Sequence, residues 1–217
     1  MKILRIIVTA FLLSVLPVLV SSCCDSASCC GVDKASPYFD VTAVEAKVFV
    51  ISQTPNSNGN LQTAYTPYVN GTLLDFSNYR IKVNGTLSYY GLLETPAVNW
   101  GGALWACDPK EPGFRGSEEV VSKIIIISNA EFNKEHPTGA SLNDLFNINA
   151  YSAVYYEDDL RSITDIDAFV AKNPTAPQYF ELAPTRKPTA KKHIFTITYE
   201  QTNGEKYVVQ TEEITFK

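Results

Sequence analysis

Four consecutive isoleucines, Ile124, Ile125, Ile126 and Ile127, follow Val120 and Val121 and set the tightest limit on what this chain can become. Branching at Cβ stiffens each side chain and suits it to a pleated surface. A continuous run of this kind is what a strand covered on both faces needs. It predicts a strand at the centre of the core, and a chain built from sheets.

Other stretches carry the two-residue period of a half-buried strand. Within 39–53, Val44, Ala46, Val48 and Val50 alternate with Glu45, Lys47 and Phe49. Asn-Gly supplies the positive φ angles that a tight hairpin turn requires. Asn84-Gly85 predicts a hairpin over 79–90, with Tyr79, Ile81 and Val83 on one side and Leu87 and Tyr89 on the other. Asn203-Gly204 predicts another, joining 194–199 to 207–211. Residues 61–74 contain Thr66-Pro67 and Asn70-Gly71 and predict an edge strand or a long connection, since proline cannot donate to a ladder. Short strands are expected at 151–156 and 179–182. Ser141 is placed to cap a short helix over 142–146, with Asp144 at its third position. Thr164 is placed to open a second, with Ile166, Phe169 and Val170 as its apolar stripe and Pro174 beyond its end. The expected fold is mainly β: an antiparallel β-sandwich, immunoglobulin-like, with two short inserted helices. Twelve Tyr, eleven Phe and two Trp beside one Met agree with strands rather than helices.

The N-terminus carries an address. Lys2 and Arg5 precede an apolar run over 6–20, broken by Thr9, Ser14 and Pro17. As a helix that run would reach roughly 22 Å, short of the ~30 Å hydrocarbon core, so it reads as a secretory signal peptide. Val20-Ser21-Ser22-Cys23 then resembles the bacterial lipobox. The resemblance implies cleavage before Cys23, a diacylglycerol thioether on its sulfur and a palmitate-type acyl chain on its amine. One chain anchors marginally and two or more hold stably, so three would fix the protein to a membrane. The organisation expected is a lipoprotein signal peptide over 1–22, a lipidated Cys-rich tether over 23–37 and a β-sandwich domain over 38–217.

The chain has 217 residues, and removing 22 leaves 195, ample for one sizeable core. Losing Lys2 and Arg5 takes the formal charge from −5 to −7. The chain is acidic, and Lys191-Lys192 is its one marked basic pair, which excludes nucleic acid as a partner class. Beside Cys23 stand Cys24, Cys29, Cys30 and Cys107, four cysteines with three possible pairings in an oxidising compartment. Their local spacing lacks the separated pairs of a zinc site, so a disulfide-stapled tether is preferred and its connectivity stays open; Cys107 is either paired or a buried free thiol.

Cys107-Asp108-Pro109, Gly113-Phe114-Arg115-Gly116-Ser117-Glu118-Glu119, the isoleucine run with Ser128-Asn129, and Phe132-Asn133 resemble a family of Bacteroidetes-type lipoproteins of unknown function. The closing His193-Ile194-Phe195-Thr196-Ile197-Thr198-Tyr199 with Asn203-Gly204 is similar to their last hairpin. The family has no assigned catalytic or ligand residues, so none is carried over.

Candidate chemistry is sparse. His136 precedes Pro137 in a loop and His193 opens a strand, and neither lies in a catalytic motif. Cys107 with His136 is the one thiol–imidazole combination available. No cofactor or metal is expected, and Glu157-Asp158-Asp159 lacks the alternating spacing of a calcium loop and reads as a solvated turn. The aromatics Trp100, Trp105, Tyr89, Tyr90, Tyr155 and Tyr156 are candidates to face a ligand by stacking on sugar rings, with core filling as the competing reading. Vicinal tyrosines on a strand point to opposite faces, so one of each pair is a candidate for exposure. The expected function is a non-enzymatic binding or assembly component, lipid-anchored in the outer membrane, whose partner is a glycan or an envelope protein. A glycan- or peptide-acting hydrolase and a purely structural envelope protein are the alternatives.

Overall fold

The computed structural model describes residues 36–55, 61–91, 111–151 and 164–217. Residues 1–22, read as a signal peptide, and Cys23, Cys24, Cys29, Cys30, Cys107, Trp100, Trp105, Tyr155, Tyr156 and the acidic triplet lie outside the described residues. Residues 36–91 and 112–217 form one compact unit.

The unit is a mainly antiparallel β-sandwich. Strands β1 (Tyr38–Pro55), β2 (Leu61–Pro67), β3 (Leu73–Leu74) and β4 (Tyr79–Tyr90) come first. Then follow β5 (Val121–Ser128), β6 (Phe146–Tyr151), β7 (Thr164–Asp165), helix α1 (Ile166–Ala171) and β8 (Tyr179–Pro184). The chain closes with β9 (Lys192–His193), β10 (Phe195–Gln201), β11 (Lys206–Gln210) and β12 (Ile214–Phe216). A six-stranded sheet runs β2-β1-β4-β8-β6-β7; one three-stranded sheet runs β11-β10-β5 and another β3-β12-β9. This division differs from the four-on-three strands of an immunoglobulin domain. Parallel pairing occurs between β12 and β3.

Aromatic rings join the sheets. Phe146 of β6 meets Phe195 of β10 edge to face at 5.5 Å, and Phe180 of β8 stacks on Tyr199 of β10 at 5.8 Å. Tyr79 of β4 lies 5.3 Å from Phe216 of β12. Ring pairs of this geometry contribute roughly 0.5–1.5 kcal/mol beyond the area they bury.

The 79–90 hairpin is a correction. β4 runs straight through Asn84-Gly85, pairing with β1 from Val50↔Tyr79 to Tyr38↔Tyr90. The glycine is there because another backbone crosses close by. Gly85 donates its N–H to the Gln178 carbonyl at 2.9 Å, and a Cβ at Gly85 would stand 3.1 Å from that oxygen. At two other Asn-Gly pairs among the described residues the chain does turn: Gly71 and Gly204 have φ of 87° and 90°. Gly204 closes the β10–β11 hairpin as expected, and β2 is an edge strand as expected.

The isoleucine run is also placed differently. β5 lies at the edge of its sheet, with Ile124 and Ile126 buried and Ile125 and Ile127 half-buried. A continuous apolar run cannot by itself separate a two-face strand from an alternating one. The first expected helix is a single 3-10 turn, Asn143–Leu145, and Phe146 already begins β6. The second starts later: Asp165, not Thr164, caps α1 by accepting the Ala168 N–H at 2.7 Å. Ile166 and Phe169 are buried, so its apolar stripe faces the core as read.

Candidate functional site

The alternation that buries Ile81, Val83, Phe180, Leu182, Phe146 and Ile148 sends the intervening residues to the outer face of the six-stranded sheet. Register assembles them into rows. One row crosses β1, β4, β8 and β6 as Lys47, Lys82, Glu181 and Asn149. The next is Glu45, Asn84, Tyr179 and Tyr151. Beyond the first row, Phe49 stands opposite Arg80 on β4 and Pro67 on β2.

Glu181 is the centre of this face. It is only 7% exposed, a costly place for a carboxylate without compensating partners. Its Oε2 accepts the Tyr65 hydroxyl at 3.0 Å. Among the described residues no cation lies within ion-pair distance of it. Tyr65 comes from β2, with its ring exposed and edge-on to Phe49. Burial of the hydroxyl end and the neighbouring carboxylate push Tyr65 up to about 12, so it stays a proton donor at neutral pH.

A second group stands beside it. Tyr151 and Tyr179 stack at 4.4 Å and 17°, and the Lys82 ammonium sits 3.8 Å from the centre of the Tyr179 ring. Such a contact contributes about 0.5–1 kcal/mol at an exposed site. Burial, then Tyr151 and Glu181, raise the Tyr179 hydroxyl above its ordinary value. Asn149 donates to the Tyr151 hydroxyl at 2.7 Å, while its other amide end, Oδ1, is buried without a partner among the described residues. The face thus offers carboxylate, amide and phenol groups for hydroxyls, ring faces for apolar C–H, and two cations held, among the described residues, by nothing stronger than a ring and a backbone carbonyl. Arg80 donates to the Tyr79 carbonyl at 2.8 Å.

Of the aromatics read from sequence, Tyr89 and Tyr90 are described. They are 45% and 38% exposed and point to opposite sides of β4. Tyr90 stacks on Tyr38 at 5.8 Å and donates to Glu118 at 3.0 Å; burial and then Glu118 push it up to about 12. Tyr89 closes over Gly113, where a Cβ would stand 2.9 Å from its ring. Both are therefore engaged by the 112–118 segment at the far end of β4 from Glu181. Tyr65, Tyr151, Tyr179, Glu181 and Asn149 were missed. The available signal was the polar half of each strand, Arg80, Lys82 and Asn84 against Tyr179 and Glu181 against Asn147 and Asn149.

The histidines are structural. His193 is fully buried between Phe195, Phe132 and Phe216. Its Nε2–H donates to the Ala190 carbonyl at 3.0 Å, so Nδ1 accepts from the Ser128 hydroxyl at 2.8 Å. Ser128 is 3% exposed, which denies a substrate access to this serine–histidine pair. His136 bridges Asn133 and Asp144 and pins the loop ahead of β6. A shallow groove of about 450 Å³ opens between β5 and α1 past Lys123, Ser141, Asp167 and Val170. The Asn143 amide on its wall is already committed to backbone and to Asp167.

The buried neutral ring makes stability pH-dependent. Burial holds the His193 pKa below its ordinary value, outweighing the opposing bond to Ala190. The unfolded chain takes up a proton as pH falls through about 6.5, while the folded chain takes it up only lower down. The His193 contribution is therefore complete above that value and declines on acidification. Between pH 7.5 and 5.5 the loss reaches at most about 1.4 kcal/mol. Urea unfolding at both pH values checks it: the decline should be smaller in His193→Phe, and an equal decline would remove the assignment.

No family model, curated protein or solved structure matches this chain.

Proposed function

We propose that this protein is a lipid-anchored, non-enzymatic binding component of the bacterial outer membrane, and that it takes a glycan on the outer face of the six-stranded sheet. The anchor half of the reading rests on Val20-Ser21-Ser22-Cys23 after an apolar run. The binding half rests on one observation: a carboxylate 7% exposed, answered by a single phenol among the described residues, on a face lined with tyrosines. Sugars present hydroxyl donors to acceptors of this kind and C–H faces to aromatic rings, so the surroundings of Glu181 suit them. The inaccessible Ser128–His193 pair supports binding over hydrolysis.

Both halves are testable on the whole chain. Cys23→Ser should move the protein from the membrane fraction, and sedimentation equal to wild type would defeat the anchor. Full-length protein in a zwitterionic detergent without sugar head groups should be retained on a glycan panel. Glu181→Ala should weaken that retention at least tenfold. Retention on none of the glycans would defeat the binding half.

A further inference from the structure

The glycan reading leaves open which sugars fit, and the charge on this face narrows them. The chain as a whole is acidic, at −5. The rows crossing β1, β4, β8 and β6 run the other way. Lys47, Lys82 and Arg80 stand there against Glu45 and Glu181. Lys47 and Lys82 are directly opposite one another, a like-charge pair that sheets ordinarily avoid. They turn apart: Lys47 pairs with Glu45 at 2.8 Å and Lys82 goes to the Tyr179 ring. Lys82 does not take up Glu181, although the two are cross-strand partners. Arg80 holds one backbone carbonyl and has further N–H groups to give. Two cations without ion pairs among the described residues therefore flank a buried carboxylate and an amide with one end unpartnered.

We infer that the ligand is a carboxylated glycan, of the uronic-acid type. Its carboxylate goes to Arg80 and Lys82, where bonding to a charged donor is stronger than to a neutral one. Its hydroxyls donate to Glu181 and bond with Tyr65. A neutral sugar would satisfy the second set and leave the cations unanswered. A fully anionic ligand such as phosphate would satisfy the cations and meet repulsion at Glu181. The combination selects a molecule that carries both groups. This inference rests on the proposal that the face binds glycan.

The test uses a matched pair of probes: a uronic-acid tetrasaccharide, and the same tetrasaccharide with its carboxyl groups reduced to hydroxymethyl. Each is titrated calorimetrically into the full-length protein in the same sugar-free detergent. The acid form should bind at least tenfold tighter, and the preference should shrink as salt rises from about 50 to 300 mM, since screening weakens exposed charge pairs. Arg80→Gln and Lys82→Gln should each cut the preference for the acid form several-fold. Glu181→Gln should weaken both probes. Equal affinity for the two probes, or a preference untouched by Arg80→Gln and Lys82→Gln, overturns this inference and leaves the glycan reading standing. Binding of neither probe, together with no retention on the wider panel, overturns both.

Discussion

Phe195→Ala should cost the protein about 3–5 kcal/mol. Phe195 is fully buried on the middle strand of the β11-β10-β5 sheet. Its ring meets Phe146 of the opposing sheet at 5.5 Å, Phe132 at 6.5 Å and the His193 ring at 5.6 Å in a parallel stack. Truncation removes the transfer free energy of a benzyl group and leaves a cavity between two sheets that are held by other contacts and cannot close on it. The backbone bonds of this residue are kept: the N–H to Thr211 Oγ1 at 3.1 Å and the carbonyl from the Thr211 N–H at 3.0 Å. The loss is therefore one of packing. For a domain of this size, each kcal/mol lowers Tm by about 2–4 °C, so a fall of about 6–20 °C should be seen by circular dichroism. Val208→Ala in the same hairpin is the control. Val208 is 57% exposed on edge strand β11, and its loss should stay within about 0.5 kcal/mol. A drop below about 1 kcal/mol for Phe195→Ala would contradict this account of how the sheets are joined.

That hairpin is also where sequence and structure agree most closely. Ile197 and Tyr199 alternate with polar neighbours, Asn-Gly follows, and the alternation resumes, so local chemistry and tertiary placement point the same way. At Asn84-Gly85 the same dipeptide misleads. Its local preference for a turn is weaker than the long pairing of β4 along β1, and the glycine answers the approach of Gln178, a residue far along the chain. Long-range crowding leaves no local trace. The isoleucine run misleads for a related reason. Hydrophobicity says that a strand is buried, and only the arrival of neighbours says on how many sides.

The outer face of the six-stranded sheet was less legible still. Each of its residues is an ordinary polar position on an ordinary strand. What makes them a site is the order β1-β4-β8-β6, which lays Lys82, Glu181 and Asn149 side by side from three distant segments. Tyr65 joins them from an edge strand whose own neighbours in sequence are all exposed. Single aromatic residues can be marked from sequence, as Tyr89 and Tyr90 were. A row across a sheet cannot be marked before the strand order is known.

Strand order also exposes the free side of β5, and Asn143→Ala should show how that side is protected. β10 covers one edge of β5. On the other, the Asn143 side chain replaces a missing strand for one rung: Oδ1 accepts the Ile126 N–H at 3.1 Å and Nδ2 donates to the Ile124 carbonyl at 2.9 Å. The same Nδ2 donates to Asp167 Oδ1 of α1 at 2.7 Å, so one amide ties strand to helix. The Leu142 N–H to the Ile126 carbonyl at 2.8 Å continues the cover. Alanine would leave a buried N–H and a buried carbonyl without partners, each costing about 1–3 kcal/mol, for a total of about 2–6 kcal/mol. Asn143→Asp separates hydrogen bonding from mere shape. It keeps an acceptor for Ile126 but turns a second oxygen toward the Ile124 carbonyl and Asp167, so at neutral pH it should be no more stable than the alanine variant. Acidification that protonates either carboxyl should narrow its deficit. Hydrogen exchange reads the mechanism directly: the Ile126 amide should lose protection in Asn143→Ala, while the Thr198 amide on β10 stays protected up to the global limit. Unchanged exchange at Ile126 would mean that the strand edge is guarded by Leu142 and its neighbours, with the Asn143 amide incidental to it.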